Sequence, residues 1–310
     1  MKYSEIAVAF RAPKAKFDFI TISIPNVMVT EIKTPEYQAQ GRIELARKPW
    51  ENWLTIHDPT LSDLQWLLDH APESPILAIE IAVDWTLADG SSDDDQLMAL
   101  HGWLNHRLFP QRHEELVQAK RFRFDPISAK YLPDTVATTG GDTTFQWRDS
   151  KQRLRIRLYR KSLDNGTPLE GQQRIRLEAN LGRSACQHYG LYRVAELPQF
   201  ADLMRRELSD GFFVASWIKP KLARSRANTP GKAQEARQRA KEETMRVARA
   251  WERCGAQWAA KHGHEAKPDT AANRAIGLAL KQLREKMLPL KLTRKVAEIP
   301  SYEVTKVQQK

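Results

Sequence analysis

The sequence predicts an α+β fold, a mostly antiparallel central sheet flanked by helices, with a basic helical C-terminal extension. Three observations predict it. Runs with period-two alternation recur at short intervals, several of them joined by turn sequences such as DNGTPLEG, which favours antiparallel neighbours over a doubly wound sheet. Helical runs with leucines in register lie between them. After KPKLARSRANTPGKA the composition shifts to Ala, Arg, Glu, Lys and Gln, the signature of a linker followed by two basic helices over Lys232 to His262 and Asn273 to Leu288. The expected division is a body over 1–218 and an extension over 219–310.

The elements follow in order. FDFITISI, residues 17–24, reads as a strand with Phe17, Phe19, Thr21 and Ser23 on one face and Asp18, Ile20, Ile22 and Ile24 on the other, stopped by Pro25-Asn26. GRIELARK is a second strand. HDPTLSDLQWLLDHA starts a helix with Ser62 or Asp58 as cap and Leu64, Leu67 and Leu68 at helical spacing. LAIEIAVDWT, residues 77–86, is a strand whose Glu80 and Asp84 oppose Ile79, Ile81, Val83 and Trp85. An acidic loop at 89–95 precedes the helical run LMALHGWLNHRLF. Short strands are expected at KRFRFD, TTFQWR, RLRIRLY and QRIRLEANL.

The chain of 310 residues, 41% hydrophobic, has enough apolar material for a real core. An N-terminal apolar leader and an 18-residue apolar run are both missing from the sequence, so the expectation is a cytoplasmic protein with no membrane partner. Cys186 and Cys254, far apart and outside any ligand spacing, read as free thiols. Charge is uneven. Residues 219–310 carry 22 Lys and Arg against 9 Asp and Glu, a net of +13, whereas residues 1–218 hold 27 against 29. Such asymmetry points to a polyanion, and for a soluble chain to nucleic acid.

The chemistry concentrates on three strands. In RLRIRLYRK, alternation places Arg153, Arg155 and Arg157 on one face, and in QRIRLEANL it places Arg174, Arg176, Glu178 and Asn180 on one face. The turn at Asp164-Asn165-Gly166 makes these two a hairpin with polar faces aligned. Guanidinium forks match phosphate oxygens, so the row is a candidate DNA-binding surface. Glu80 and Asp84 are about 13 Å apart along their strand, too far to share one ion. One of them with Glu178 can hold a hard divalent cation while the other orients arginines or DNA.

In their order, LAIEIAVDWT, FQWRDSKQRLRIRLYRKS and RIRLEANL resemble the rolling-circle replication initiation factors of the Rep_trans type. The resemblance covers about residues 17–215 and rests on Glu80 and Asp84, on Arg148-Asp149-Ser150, on Arg157-Leu158-Tyr159-Arg160-Lys161-Ser162 and on Arg176-Leu177-Glu178. It implies an enzyme that nicks one strand at an origin through a tyrosine and uses a divalent metal, Mg²⁺ or Mn²⁺, held by acidic residues, for which the candidates are Glu178 with Asp84 or Glu80. The nucleophile would lie in a helix after the R-x-E strand, in GRSACQHYGLYR, which makes Tyr189 the first candidate and Tyr192 the second. Lys161 and His188 are candidates for positioning phosphate or moving protons, and Arg148, Arg153, Arg155, Arg157, Arg174 and Arg176 for gripping DNA. Implied partners are single-stranded and double-stranded origin DNA and a host helicase. Arg160 departs from the family, which often has an acidic residue there, and His262-Gly263-His264 is not the histidine signature of the larger relaxase class. Two other classes stay open: a DNA-binding protein that keeps the fold without the reaction, and an interaction protein whose basic arm docks on an acidic partner.

Overall fold

A computed structural model of the chain describes residues 2–25, 42–48, 51–89, 93–109, 120–125, 130–133, 143–148, 154–164, 167–169, 171–203, 213–217 and 266–290, with short pieces between 234 and 246. In chain order the strands are β1 (Lys14–Ile24), β2 (Ile43–Arg47), β3 (Asn52–His57), β4 (Ile76–Thr86), β5 (Leu108–Phe109), β6 (Lys120–Asp125) and β7 (Lys130–Pro133). They continue as β8 (Thr143–Arg148), β9 (Leu154–Lys161), β10 (Leu163–Asp164), β11 (Thr167–Pro168), β12 (Arg174–Gly182), β13 (Phe213–Trp217) and β14 (Ala266–Pro268). The helices are α1 (Tyr3–Ala7), α2 (Leu61–His70), α3 (Asp94–Arg107), α4 (Arg183–His188), α5 (Leu197–Leu203) and α6 (Thr270–Met287).

Nine strands form one sheet in the order β2-β3-β1-β4-β12-β9-β8-β6-β7, every neighbouring pair antiparallel. The fold is therefore α+β, as the alternation and turns predict. β9 and β12 form the expected hairpin, closed by the short β10–β11 ladder, and β4 lies on the other side of β12. The strand β3 was not foreseen, because ENWLTIH is short and carries a charge and a histidine at its ends. It pairs with both β1 and β2.

The apolar faces of these strands build the core. Ile20 and Ile22 of β1, Leu54 and Ile56 of β3, Ile79, Ile81 and Val83 of β4, and Leu177 and Ala179 of β12 are all buried in one cluster. Each of the six helices contributes to that cluster, so the described helices pack on this face of the sheet. The polar face is turned the other way.

α2 shows how local chemistry sets an element. Its cap is Thr60, not Ser62 or Asp58: the Thr60 hydroxyl accepts from the Asp63 amide at 3.2 Å, and the Asp63 carboxylate accepts from the Thr60 amide at 2.7 Å. Asp58 instead takes a left-handed turn, φ 43°, just past β3.

Part of the C-terminal extension, expected as basic helices after a linker, packs into the core. α6 begins on an Asp269 cap and buries Ala272, Ile276, Ala279, Leu280, Leu283 and Met287 against the sheet and α5. Asn273 bonds both ways to Val214 of β13, each at 2.8 Å, which ties the helix to the β5-β13-β14 ladder. This part of the extension is core, because its small and aliphatic residues fall on one stripe between the charges. The boundary at 218/219 and most of 219–265, Cys254 included, lie outside the described residues.

Leu280→Ala should cost about 2–5 kcal/mol of unfolding free energy by chemical denaturation, the usual range for truncating a buried leucine. A solvated arm would lose almost nothing.

Candidate active site on the polar face

The polar faces of β1, β4, β12 and β9 carry a buried charge network. It begins with a bulge. Phe17 pairs with Ile81 and Phe19 with Glu80, so Asp18 is the extra residue of β1 and the alternation of the strand changes phase there. Asp18 thus leaves the face of Ile20 and Ile22, where plain alternation puts it, and reaches the polar side.

On β4, Glu80 and Asp84 are buried on that side as expected. In register, Asn180 of β12 lies beside Glu80, Glu178 beside Ala82 and Arg176 beside Asp84; across β12, Arg157 of β9 lies beside Glu178 and Tyr159 beside Arg176. These pairings decide who meets whom.

Arg176, with 0% of its surface exposed, sends Nε and Nη2 to the two oxygens of Asp84 at 2.7 and 2.8 Å, while Nη1 donates to Asp18 and sits 3.6 Å from Glu178. The Arg174 Nε lies 3.4 Å from Asp84 as well. Asp84 is therefore bound up by arginines and is not brought to the other acids. Its expected part in a metal site passes to Asp18: carboxylate oxygens of Asp18, Glu80 and Glu178 all lie within 4.8 Å of one another. Glu80 and Glu178 are the two members that sequence reasoning named.

Other groups hold the triad in place. Asn180 donates to Glu80 at 2.9 Å, Arg157 reaches the Glu80 oxygens at 3.0 and 3.2 Å, and the Tyr159 hydroxyl donates to Glu178 Oε1. The other oxygen, Glu178 Oε2, is buried without a hydrogen-bond donor; Arg157 Nη2 stands 2.5 Å from it as an ion pair outside hydrogen-bonding alignment. A buried anionic oxygen without a donor beside two further carboxylates is a fitting ligand set for a hard divalent cation.

Burial and the neighbouring Glu178 push the Glu80 carboxyl up to about 7, against the pull of Arg157 and Asn180. For Asp18, burial acts upward, but Arg176, Lys161 and Lys16 outweigh it and hold the carboxyl below its usual range. Burial, then Glu178, raises the Tyr159 phenol well above 10.

Other expected site residues fall elsewhere. Arg176, expected to grip DNA, has no exposed surface, and Arg157, 21% exposed, is paired with Glu80 and Glu178. Arg155 and Lys161 are partly exposed on β9; Arg153 lies outside the described residues, as does the side chain of Arg148. Arg160 pairs with Asp94 at 2.7 Å.

The tyrosines of the GRSACQHYGLYR segment are placed differently from the expected helix face. α4 ends at His188, Gly190 follows at φ 78°, and the chain turns back so that Leu191 and Cys186 bury in the core. Burial pushes the Cys186 thiol up to about 12. Tyr189 packs against the apolar cluster with the His188 ring edge-on at 5.1 Å. Tyr192 is 54% exposed, and its carbonyl accepts from Ile76 at the start of β4, four residues or about 13 Å from Glu80. Tyr159 is the tyrosine that touches the carboxylates. Its position in Arg157-Leu158-Tyr159-Arg160-Lys161 was legible as alternation, whereas the Asp18 bulge left no signal in β1 itself.

No protein-family profile matches the chain, and no curated protein matches it. A solved structure of a rolling circle replication initiator protein from Geobacillus stearothermophilus is similar at 11% identity and a TM-score of 0.37, covering 74% of this chain and 96% of that one. A likeness of this degree carries no argument. Among the described residues no helix is long and apolar enough to cross a membrane.

Two outcomes follow from the network. Arg176→Met should destabilise by about 3–5 kcal/mol in denaturant titrations, since it leaves Asp84 and Asp18 buried without their cation. Glu80 binds its proton more tightly folded than unfolded, so its contribution to stability is full below about 4.5 and is lost as pH rises through about 7. Asp18 works in the opposite sense, losing its contribution only as pH falls below the ordinary carboxylate range. In chelator, denaturation at pH 5 to 8 should therefore show a decline with pH that Glu80→Gln removes.

Proposed function

We propose that this protein is a replication initiator of the rolling-circle type, which cuts one strand of origin DNA with the help of Mg²⁺ or Mn²⁺ at Asp18, Glu80 and Glu178. The observation that carries this reading is the convergence of three carboxylates from three adjacent strands around the donorless Glu178 Oε2, inside a ring of arginines. A bound ion would neutralise the charge that develops on a phosphodiester under attack. The protein's own groups do the rest. Asn180 and Tyr159 hold the carboxylates in orientation, Arg176 fixes Asp18, and Arg157 and Lys161 supply positive charge where a phosphate would arrive.

The attacking hydroxyl we assign to Tyr159 ahead of Tyr192 and Tyr189. Its phenol already donates to Glu178, which can take the proton as the phenolic oxygen bonds phosphorus and the P–O3′ bond breaks, the departing oxygen leaving as a 3′-hydroxyl protonated from Glu178 or water. Tyr192 is exposed enough to serve but starts from the end of β4, and Tyr189 is packed on the core. The lysines and arginines between 219 and 253 supply non-specific DNA affinity in this reading, while α6 serves the fold.

A second reading is favoured by one observation: Arg157 and Arg176 already pair with the carboxylates, so the network can close on itself as an internal ion cluster in a protein that only binds DNA.

With labelled single-stranded origin DNA and Mn²⁺, wild type should form an SDS-resistant adduct, and Glu178→Gln and Asp18→Asn should lower its rate by a hundredfold or more while leaving DNA affinity equal or higher. Peptide mapping of the adduct should find the nucleotide on Tyr159, and Tyr159→Phe should abolish it with Tyr189→Phe and Tyr192→Phe unaffected. Mapping to Tyr192 would move the role there. An absence of adduct in wild type, with salt-dependent DNA binding intact, would establish the non-enzymatic reading.

A further inference from the structure

The polar face does not end at the carboxylates. Continuing from β4 through β1 to β3, it carries Phe19, Thr21 and Ser23 opposite His57, Thr55 and Trp53, in that order. β2 adds Glu44 and Ala46 beside Thr55 and Trp53. Helices α1 to α6 are engaged on the opposite, apolar side. Among the described residues this edge carries a row of rings and hydroxyls, with Glu44 and Glu51 paired to His57 and Ser23.

The details are those of a stacking surface. Trp53 is 36% exposed, an unusual position for the largest side chain on a strand, and Lys48 lies 4.9 Å over its ring. Phe19 and His57 face each other at 6.2 Å between ring centroids, both partly exposed, and the hydroxyls of Thr21 and Thr55 meet at 3.0 Å between the two aromatic positions. Trp53 and His57 are four residues apart on one strand, about 13 Å, which leaves room for separate bases. Phe19 is the register partner of Glu80, so one end of the row adjoins the carboxylate site. Lys16 stands at that end and Lys48 at the other.

We propose that this edge of the sheet stacks the bases of a single DNA strand through Trp53, His57 and Phe19, feeding that strand toward the carboxylates. The inference rests on the DNA-processing reading above. Aromatic rings offered on an open sheet suit unpaired bases, because a duplex hides its base faces while a single strand presents them. Lys48 at one end is placed to meet a phosphate. The carboxylates on this face are tied locally, Glu44 to His57 at 3.2 Å and Glu51 to Ser23 at 2.7 Å, and Lys16 at the other end pairs with Asp18 and Asp58. A protein partner would find little here, since the threonine pair Thr21–Thr55 interrupts the rings between Phe19–His57 and Trp53.

The test uses the full chain in chelator, so that cleavage plays no part, and a fluorescein-labelled oligo(dT) strand. Trp53→Ala should weaken binding about tenfold, the lower part of the range for losing one stacked base, and His57→Ala should weaken it severalfold. Trp53→Phe, which keeps a ring, should bind within about twofold of wild type. An abasic strand of the same length should bind wild type about as weakly as oligo(dT) binds Trp53→Ala, and affinity for a blunt duplex should be unchanged by the substitution. Equal oligo(dT) affinity in wild type, Trp53→Ala and His57→Ala would overturn the proposal, as would equal losses on single strand and duplex. Tighter capture of oligo(rU) through Trp53 would overturn the assignment to DNA. Loss of nicking chemistry with this pattern intact would count only against the cleavage reading, and no DNA binding by wild type would remove both.

Discussion

A guanidinium with no exposed surface has to find an acceptor for each of its donors, and in this protein that requirement organises the polar side of the sheet. Arg176 stands on β12 between β4 and β9, and one bulge away from β1. Asp84 takes two of its nitrogens and Asp18 a third, so three strands are fixed relative to one another by one side chain. The desolvation of such a cluster is expensive, and it persists because the partners are complete and well aligned. The apolar face supplies the free energy that makes this affordable: isoleucines, leucines and valine from β1, β3, β4 and β12 pack beneath all six helices.

Once Arg176 has taken Asp84, the remaining acids are left to one another. Asp18, Glu80 and Glu178 converge with fewer positive charges than they would need to be at ease, and the raised Glu80 carboxyl is the sign of that imbalance. Arg157 answers part of it without completing the hydrogen bonding of Glu178 Oε2. The same arrangement fits an internal ion cluster and the divalent-cation site proposed above, and both roles draw on the same local excess of negative charge in a buried place. The neighbouring surface of β1, β2 and β3 is different in kind: rings and hydroxyls lie on it among exposed pairs such as His57–Glu44 and Lys16–Asp58. Together the two surfaces suit a flexible polyanion whose bases and phosphates need different partners.

Much of this was legible in the sequence wherever the signal was local. Alternation alone put Glu80 with Asp84, Arg157 with Arg155, and Arg176 with Glu178 on common faces, and the Asp164-Asn165-Gly166 turn joined β9 to β12. The leucines of α2 and α3 and the isoleucines of β1 announced the core. Such patterns are legible because side-chain direction in a strand or helix depends only on the residue's place in the period.

The rest depended on neighbours in space. Asp18 changed faces because β1 pairs with β4 through a bulge, and a one-residue irregularity reverses the phase of everything beyond it. Asp84 went to Arg176 and not to an ion because the register of β4 on β12 set them side by side, an outcome that two separate sequences of alternating residues do not contain. α6 reads as a solvated basic helix until β1, β4 and α5 present an apolar surface to its stripe. Tyr189 and Tyr192 left the expected helix because α4 stopped at His188 and the chain turned into the core, and Tyr159 met Glu178 through the register of β9 on β12. The sequence by itself determined which faces are polar and which are apolar; pairing register, one bulge and the docking of α6 decided which of those polar groups meet, since contact is a property of two segments and periodicity a property of one.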